Sequence, residues 1–211
     1  MAAVDQRFFL IRHGETEFNR LGIFRGRYEV DLNDRGRRQA GEIGAALANE
    51  GIDFILTSPL SRAVETAEIV SRSIGVEYKV DEAFNNISLG EWQGVEKKTI
   101  QHDYPDQWKL WTSKPENLVI PGGETVEQVR QRSFSRLVDI TLNRRSTFAV
   151  VTHRSVIKTL AASLLEVPPP YFWKFYIDNA AYSVFGYDEA GFTLLNWNKN
   201  DHLSESVTEV F

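Results

Sequence analysis

The chain contains no cysteine, which excludes disulfides, a thiolate nucleophile and any metal site built on sulfur. No apolar run approaches the roughly 20 residues of a membrane span. The opening MAAVDQRFFLIRH lacks the basic start and long apolar core of a secretory signal, so a cytoplasmic protein with no membrane partner is expected. Linker composition is missing too. There is no Ser/Gly tract and no repeat of solenoid period. The one proline cluster, Pro168-Pro169-Pro170, follows the apolar run at 157–165 and reads as a helix stop. Positive charge is not in excess: the formal net charge of −5 argues against nucleic acid as a partner. It leaves room for an anionic small substrate, because a cleft in an acidic protein can be locally positive.

What is present suffices for one core: 211 residues, 42% hydrophobic and 12% aromatic. One domain over residues 1–211 is expected, as a monomer or a homodimer. Residues 7–12 (RFFLIR) form the first strand candidate, with others at 54–57, 76–80 and 147–152 (TFAVVT). Between them, Asn33 caps a segment with helical spacing through Ala40, Ile43, Ala46 and Leu47, closed by Gly51. Helical spacing returns at 60–74, 124–142 and 155–165. Residues 182–187 and 192–197 resemble a hairpin turning at Glu189-Ala190-Gly191. The stretch 81–121 is aromatic and irregular, with short helices expected at 97–104 and 106–111. Strands alternating with helices predict an α/β layer fold with a largely parallel sheet. In such sheets chemistry gathers at the carboxyl ends of the strands.

Two histidines, His13 and His153, sit just past such ends. The first strand runs into Arg12-His13-Gly14-Glu15-Thr16. Phosphoryl transfer needs an in-line nucleophile and cationic donors around the equatorial oxygens. Arg12 supplies a planar fork, His13 an imidazole nitrogen, and Gly14 a backbone able to approach a phosphate closely. Asn19 is near enough in sequence to donate an amide. The second strand leads to Arg62 at a helix start, where N–H groups also favour anions. The third leads to Thr152-His153-Arg154-Ser155.

With these, LIRHGETEFN, LNDRGRRQA, TSPLSRAVETA, LGEWQG, PGGET and VTHRSVI follow one another in order. In that order the chain resembles the histidine phosphatase (phosphoglycerate mutase-like) superfamily, from residue 9 to about 203. The resemblance implies a three-layer α/β/α sandwich with a mostly parallel central sheet, and residues 81–121 as a substrate-side insertion. It implies His13 as the phosphohistidine, His153 as a donor to the phosphoryl oxygens, Arg12 and Arg62 as a clamp, and Asn19 assisting. No metal and no organic cofactor are implied, and the partner is a small phosphorylated metabolite. The short span between LGEWQG and PGGET is more like the phosphatase branch than the glycolytic mutases. The tail, DNAAYSV then NWNKNDHL, is similar to metal-independent phosphoserine phosphatases and broad-specificity relatives, and puts His202 near the substrate's organic group.

The pattern breaks at Asn86. Family members carry a glutamate four residues before the Gly of LGxWxG, as acid for the leaving oxygen and then base for water. An amide does neither, and a placed general acid is worth about 10²–10⁴ in rate. Three explanations stand. Another carboxylate (Glu91, Glu82 or Glu15) reaches the site; the substrate has a good leaving group; or the protein is a weak enzyme or a phospho-ligand binder. A mutase that re-transfers the phosphoryl group is the alternative activity. Two further departures stand beside it. Arg154 replaces a small residue, and can pair at the surface or add a cation to the pocket. Leu89 stands where phosphoserine-specific relatives carry His. His102 reads as a surface residue. Trp92, Trp108, Trp111, Phe172 and Trp173 read as core packing before pocket floor, and Arg35, Arg37, Arg38, Glu42 and Glu50 as a solvated helix face.

Overall fold

A computed structural model describes residues 6–205. Its strands are β1 (Gln6–Arg12), β2 (Phe54–Thr57), β3 (Tyr78–Val80), β4 (Phe148–Thr152), β5 (Tyr182–Asp188) and β6 (Gly191–Lys199). They form one sheet in the order β3-β2-β4-β1-β5-β6. β3, β2, β4 and β1 are mutually parallel, and β5 and β6 add an antiparallel hairpin at one edge. The helices are α1 (Glu17–Leu21), α2 (Asp34–Leu47), α3 (Ser61–Ile74), α4 (Lys97–Asp103), α5 (Pro105–Ser113), α6 (Val126–Asn143) and α7 (Arg154–Leu164).

The central strands carry the unbroken apolar runs of elements covered on both faces. Alternation then sorts their side chains. Phe8, Leu10, Phe148 and Val150 face a core built with Val129 and Leu137 of α6 and Ile157 and Leu160 of α7. Phe9, Ile11, Ala149 and Val151 face the opposite core, with Ile43 and Leu47 of α2 and Ala63 and Val70 of α3. The expected three layers are therefore present. No helix among the described residues is long and apolar enough to cross a membrane.

Element boundaries follow local chemistry. The Asn33 side chain accepts from Gly36 N and caps α2 as expected. That helix stops at Leu47, and Gly51 lies beyond it in a turn at φ +66° rather than closing it. After Leu47 the sequence offers no further apolar residue to the buried stripe until Ile52. The short helix α1 has no counterpart in the sequence reading; a capping box between Thr16 and Asn19 nucleates it. Residues 81–121 contain α4, α5 and three short 3₁₀ turns. There Phe24, Trp92 and Trp111 pack with Phe172 into a cluster continuous with the α6–α7 core. Trp108 and Trp173 pack partly buried against it. His102 is exposed beside Asp103, as anticipated.

Candidate active site

β1 and β4 are adjacent and parallel, with Arg12 opposite Thr152. The next residue of each strand is therefore a histidine. The His13 and His153 rings lie 5.1 Å apart, centroid to centroid, and both are buried. His13 Nδ1 is 2.7 Å from the Gly14 carbonyl oxygen. A carbonyl can only accept, so Nδ1 carries the proton and Nε2 keeps its lone pair. His153 Nε2 shares a hydrogen bond of 2.7 Å with Ser58 Oγ at the end of β2. Its Nδ1 is buried without a protein partner.

The loop after β1 is held on every side. Ala180 N donates to His13 O (3.1 Å), Gly14 N to Thr66 Oγ1 (3.1 Å) and Glu15 N to Gln39 Oε1 (2.9 Å). Gly14 does not line the cavity, contrary to the expectation of close phosphate approach. A Cβ there would fall 2.4 Å from the Gly36 carbonyl oxygen, so the loop needs glycine to lie against α2.

The cavity beside the two rings presents four cationic side chains: Arg12, Arg25, Lys97 and Arg154. Arg154 thus faces the pocket. Arg25 and Lys97 were missed by the sequence reading. Arg25 belongs to a loop with no periodicity, and its only signal is the basic run FRGR. Arg62 stands one step back. It does not line the cavity, and its terminal nitrogens donate to the carbonyls of Tyr28 (2.9 Å) and Gly26 (2.8 Å). Burial, and then Arg25 nearby, push its pKa down to about 9. Burial first, then the charges of Arg62, Arg12 and Arg25, hold His13 well below the ordinary imidazole range. Burial and the same arginines, with His13, do likewise for His153.

Two other expected contacts fall outside the cavity lining. The Asn19 side-chain oxygen accepts from Thr16 N and Oγ1, and its Nδ2 is buried without a partner. His202 donates from Nε2 to the Ala180 carbonyl (3.1 Å) and packs beside Tyr182, pinning the tail behind the site instead of facing a substrate. Of the aromatic residues, Phe24, Trp111 and Phe172 both pack in the core and wall the cavity.

Asn86 does line the cavity, with its amide fixed at both ends. Nδ2 donates to Gly26 O (2.8 Å), and Oδ1 accepts from Ser155 Oγ (2.6 Å) and Ile87 N (3.0 Å). None of the three carboxylates considered in its place reaches the cavity wall. Glu15 accepts from Asn33 Nδ2 (2.8 Å), Glu82 from Asn85 Nδ2 (3.0 Å), and Glu91 is exposed. No Asp or Glu stands among the described residues lining the cavity. Nor do three or more His, Cys, Asp or Glu gather anywhere among the described residues as a group that could hold a metal ion.

Residues 8–200 match the family described as the histidine phosphatase superfamily (branch 1). Phosphoserine phosphatase 1 of Hydrogenobacter thermophilus is 30% identical over 204 residues, covering 96% of this chain and 97% of that protein. The adenosylcobalamin/alpha-ribazole phosphatase of Salmonella typhimurium is 28% identical, over 89% of this chain and 94% of its own. Among solved structures, a mycobacterial glucosyl-3-phosphoglycerate phosphatase complexed with VO3 superposes with a TM-score of 0.86 at 25% identity, covering 94% of this chain and all of that one.

Proposed function

The chain belongs to the histidine phosphatase superfamily, branch 1, and on that premise we propose that it hydrolyses a phosphate ester of a small metabolite, with His13 as nucleophile. One observation carries the reading. The Nδ1 bond to Gly14 leaves Nε2 unprotonated, in a cavity lined by guanidinium groups. A neutral imidazole beside fixed positive charge is what attack on a phosphate dianion requires. The related phosphatases of Hydrogenobacter and Salmonella support a small phosphorylated substrate.

The Nε2 lone pair attacks phosphorus, the bond from phosphorus to the leaving oxygen breaks, and that oxygen takes the electron pair. Nδ1 keeps its proton on Gly14 O, so the intermediate is a phosphoryl-imidazolium. Water then attacks phosphorus, the pair of the N–P bond returns to Nε2, and inorganic phosphate leaves. Arg12 and Arg25 receive charge on the equatorial oxygens. Bound phosphate raises the proton affinity of His153. Once protonated, that ring gives Nε2–H to Ser58 and Nδ1–H to a phosphoryl oxygen. Arg62 acts at one remove: it fixes the 26–28 backbone and adds its charge to the field. No step calls on a metal.

The test is brief incubation with a ³²P-labelled phosphate donor in EDTA, with no bisphosphorylated primer added. Acid-labile, alkali-stable label and released inorganic phosphate are expected, with both abolished in His13→Gln. Label that persists in His13→Gln refutes the assignment, and turnover that needs a bisphosphorylated primer replaces it with a mutase.

A further inference from the structure

A primary amide presents a donor and an acceptor on one planar group, whereas an ionised carboxylate only accepts. The buried Asn86 side chain uses both. Its Nδ2 donates to the Gly26 carbonyl oxygen, and its Oδ1 accepts from Ser155 Oγ and Ile87 N. Ser155 lies in the first turn of α7, two residues beyond His153. Gly26 directly follows Arg25, and both line the cavity. One amide therefore joins the element that follows the second histidine to the loop that carries a cavity arginine.

That loop is secured on either side of Arg25. Phe24 N donates to Val95 O (2.9 Å), and Gly94 N donates to Phe24 O (2.7 Å). Arg27 N donates to Gln93 Oε1 (2.7 Å). Between these anchors the Gly26 carbonyl receives two donors, Asn86 Nδ2 and Arg62 Nη2, each at 2.8 Å. The backbone of Asn86 is fixed in turn. Its carbonyl oxygen accepts from Arg27 Nε and Arg132 Nη2, both at 3.1 Å. Glu124 holds both of those guanidinium groups, at 3.0 Å from Arg27 Nη2 and from Arg132 Nε. Asn86 is thereby a strut anchored in the fold, not a side chain able to swing towards a leaving group.

We propose that Asn86 is a positioning residue, tying the Arg25 loop to the first turn of α7 and so setting Arg25 against a phosphoryl group on His13. The inference rests on the reading that His13 is the nucleophile. A carboxylate placed here can still accept from Ser155 and Ile87, but it meets the Gly26 carbonyl as acceptor against acceptor. The asparagine of this chain and the glutamate of the family pattern are therefore not interchangeable, and restoring the acid undoes the strut.

The experiment is a double-mutant cycle read by vanadate affinity. Asn86→Leu, neutral and of similar size, is expected to raise the vanadate Kd about 10-fold, the scale of a buried hydrogen bond. The kcat/KM for 4-nitrophenyl phosphate falls in parallel. In an Arg25→Met background the same substitution is expected to change Kd by less than about 2-fold, because the group it positions is gone. A merely structural role would lower the urea midpoint and cost the same factor in both backgrounds. Equal losses in both, with His13 still labelled by a ³²P donor, overturn this inference and leave the nucleophile standing. Asn86→Glu is expected to bind vanadate at least about 10-fold more weakly than the wild type. Alkyl phosphate turnover above the wild-type rate in that variant overturns the strut in favour of a lost acid. Absence of label on the wild-type protein overturns the nucleophile itself. Should Asn86→Leu fail to fold, Ser155→Ala takes its place in the cycle. It is expected to raise Kd about 3-fold alone and to leave it unchanged in the Arg25→Met background, equal losses again overturning the inference.

Discussion

A methyl group at position 14 would meet the Gly36 carbonyl oxygen at 2.4 Å, with main chain on both sides of the clash. Neither neighbour is a flexible side chain that could yield. Gly14→Ala is therefore expected to cost about 1–3 kcal/mol, the range of an overpacked interior, read as a lowered urea midpoint. Activity falls with it, because the same loop aims His13. Ser58→Ala tests orientation instead. It removes the hydroxyl bonded to His153 Nε2, a contact worth about 1 kcal/mol. A drop in kcat of about 5-fold is expected from steady-state kinetics, with the urea midpoint lowered by the equivalent of about 1 kcal/mol. Legibility at this scale tracked sequence adjacency. Arg12, His13, His153 and Arg154 announce their position because each borders an apolar strand run. Arg25 reaches the site through a loop, where neighbours in the chain say little about neighbours in space. Arg62 was placed by its helix start and His202 by motif, and neither signal records which carbonyls a side chain meets first.

Strong periodicity made the larger elements readable. β1, β2 and β4 and helices α2, α3, α6 and α7 all fall within a few residues of the expected spans. The five-residue helix α1 escaped because it is too short to show a period and depends on one reciprocal cap. The 81–121 stretch stayed vague for a different reason: its aromatic side chains pack on residues distant in the chain, such as Phe24 and Phe172. Capping also offers a clean test. Thr125 accepts from Gln128 N while Gln128 Oε1 accepts from Thr125 N, forming a capping box at the exposed start of α6. Thr125→Ala is expected to lower stability by about 0.5–2 kcal/mol in urea unfolding, with kcat/KM unaltered.

For the molecule as a whole, the two buried imidazoles make folding depend on pH. Both are held well below 6.5 in the native state, chiefly by burial and then by Arg62. The unfolded chain takes up protons near pH 6.5 while the native one does not. Stability is thus fully present above about pH 6.5 and falls as the pH drops towards the depressed native values. Each ring contributes a slope of at most about 1.4 kcal/mol per pH unit. Urea midpoints measured from pH 8 to pH 5 should decline, and His13→Gln/His153→Gln should flatten the decline. Inorganic phosphate or vanadate should oppose it, by binding the native state alone.

β4 is the fourth strand along the chain, yet it lies between the first two in the sheet. Until it arrives, β1 and β2 face each other across an empty lane and cannot pair, and the later histidine has no neighbour. A ribosome adding about 5–20 residues per second would leave those strand edges open for on the order of ten seconds. The nascent amino-terminal half is therefore a natural client for chaperones. Premature termination anywhere before residue 148 would yield debris for proteolysis instead of a partly active fragment.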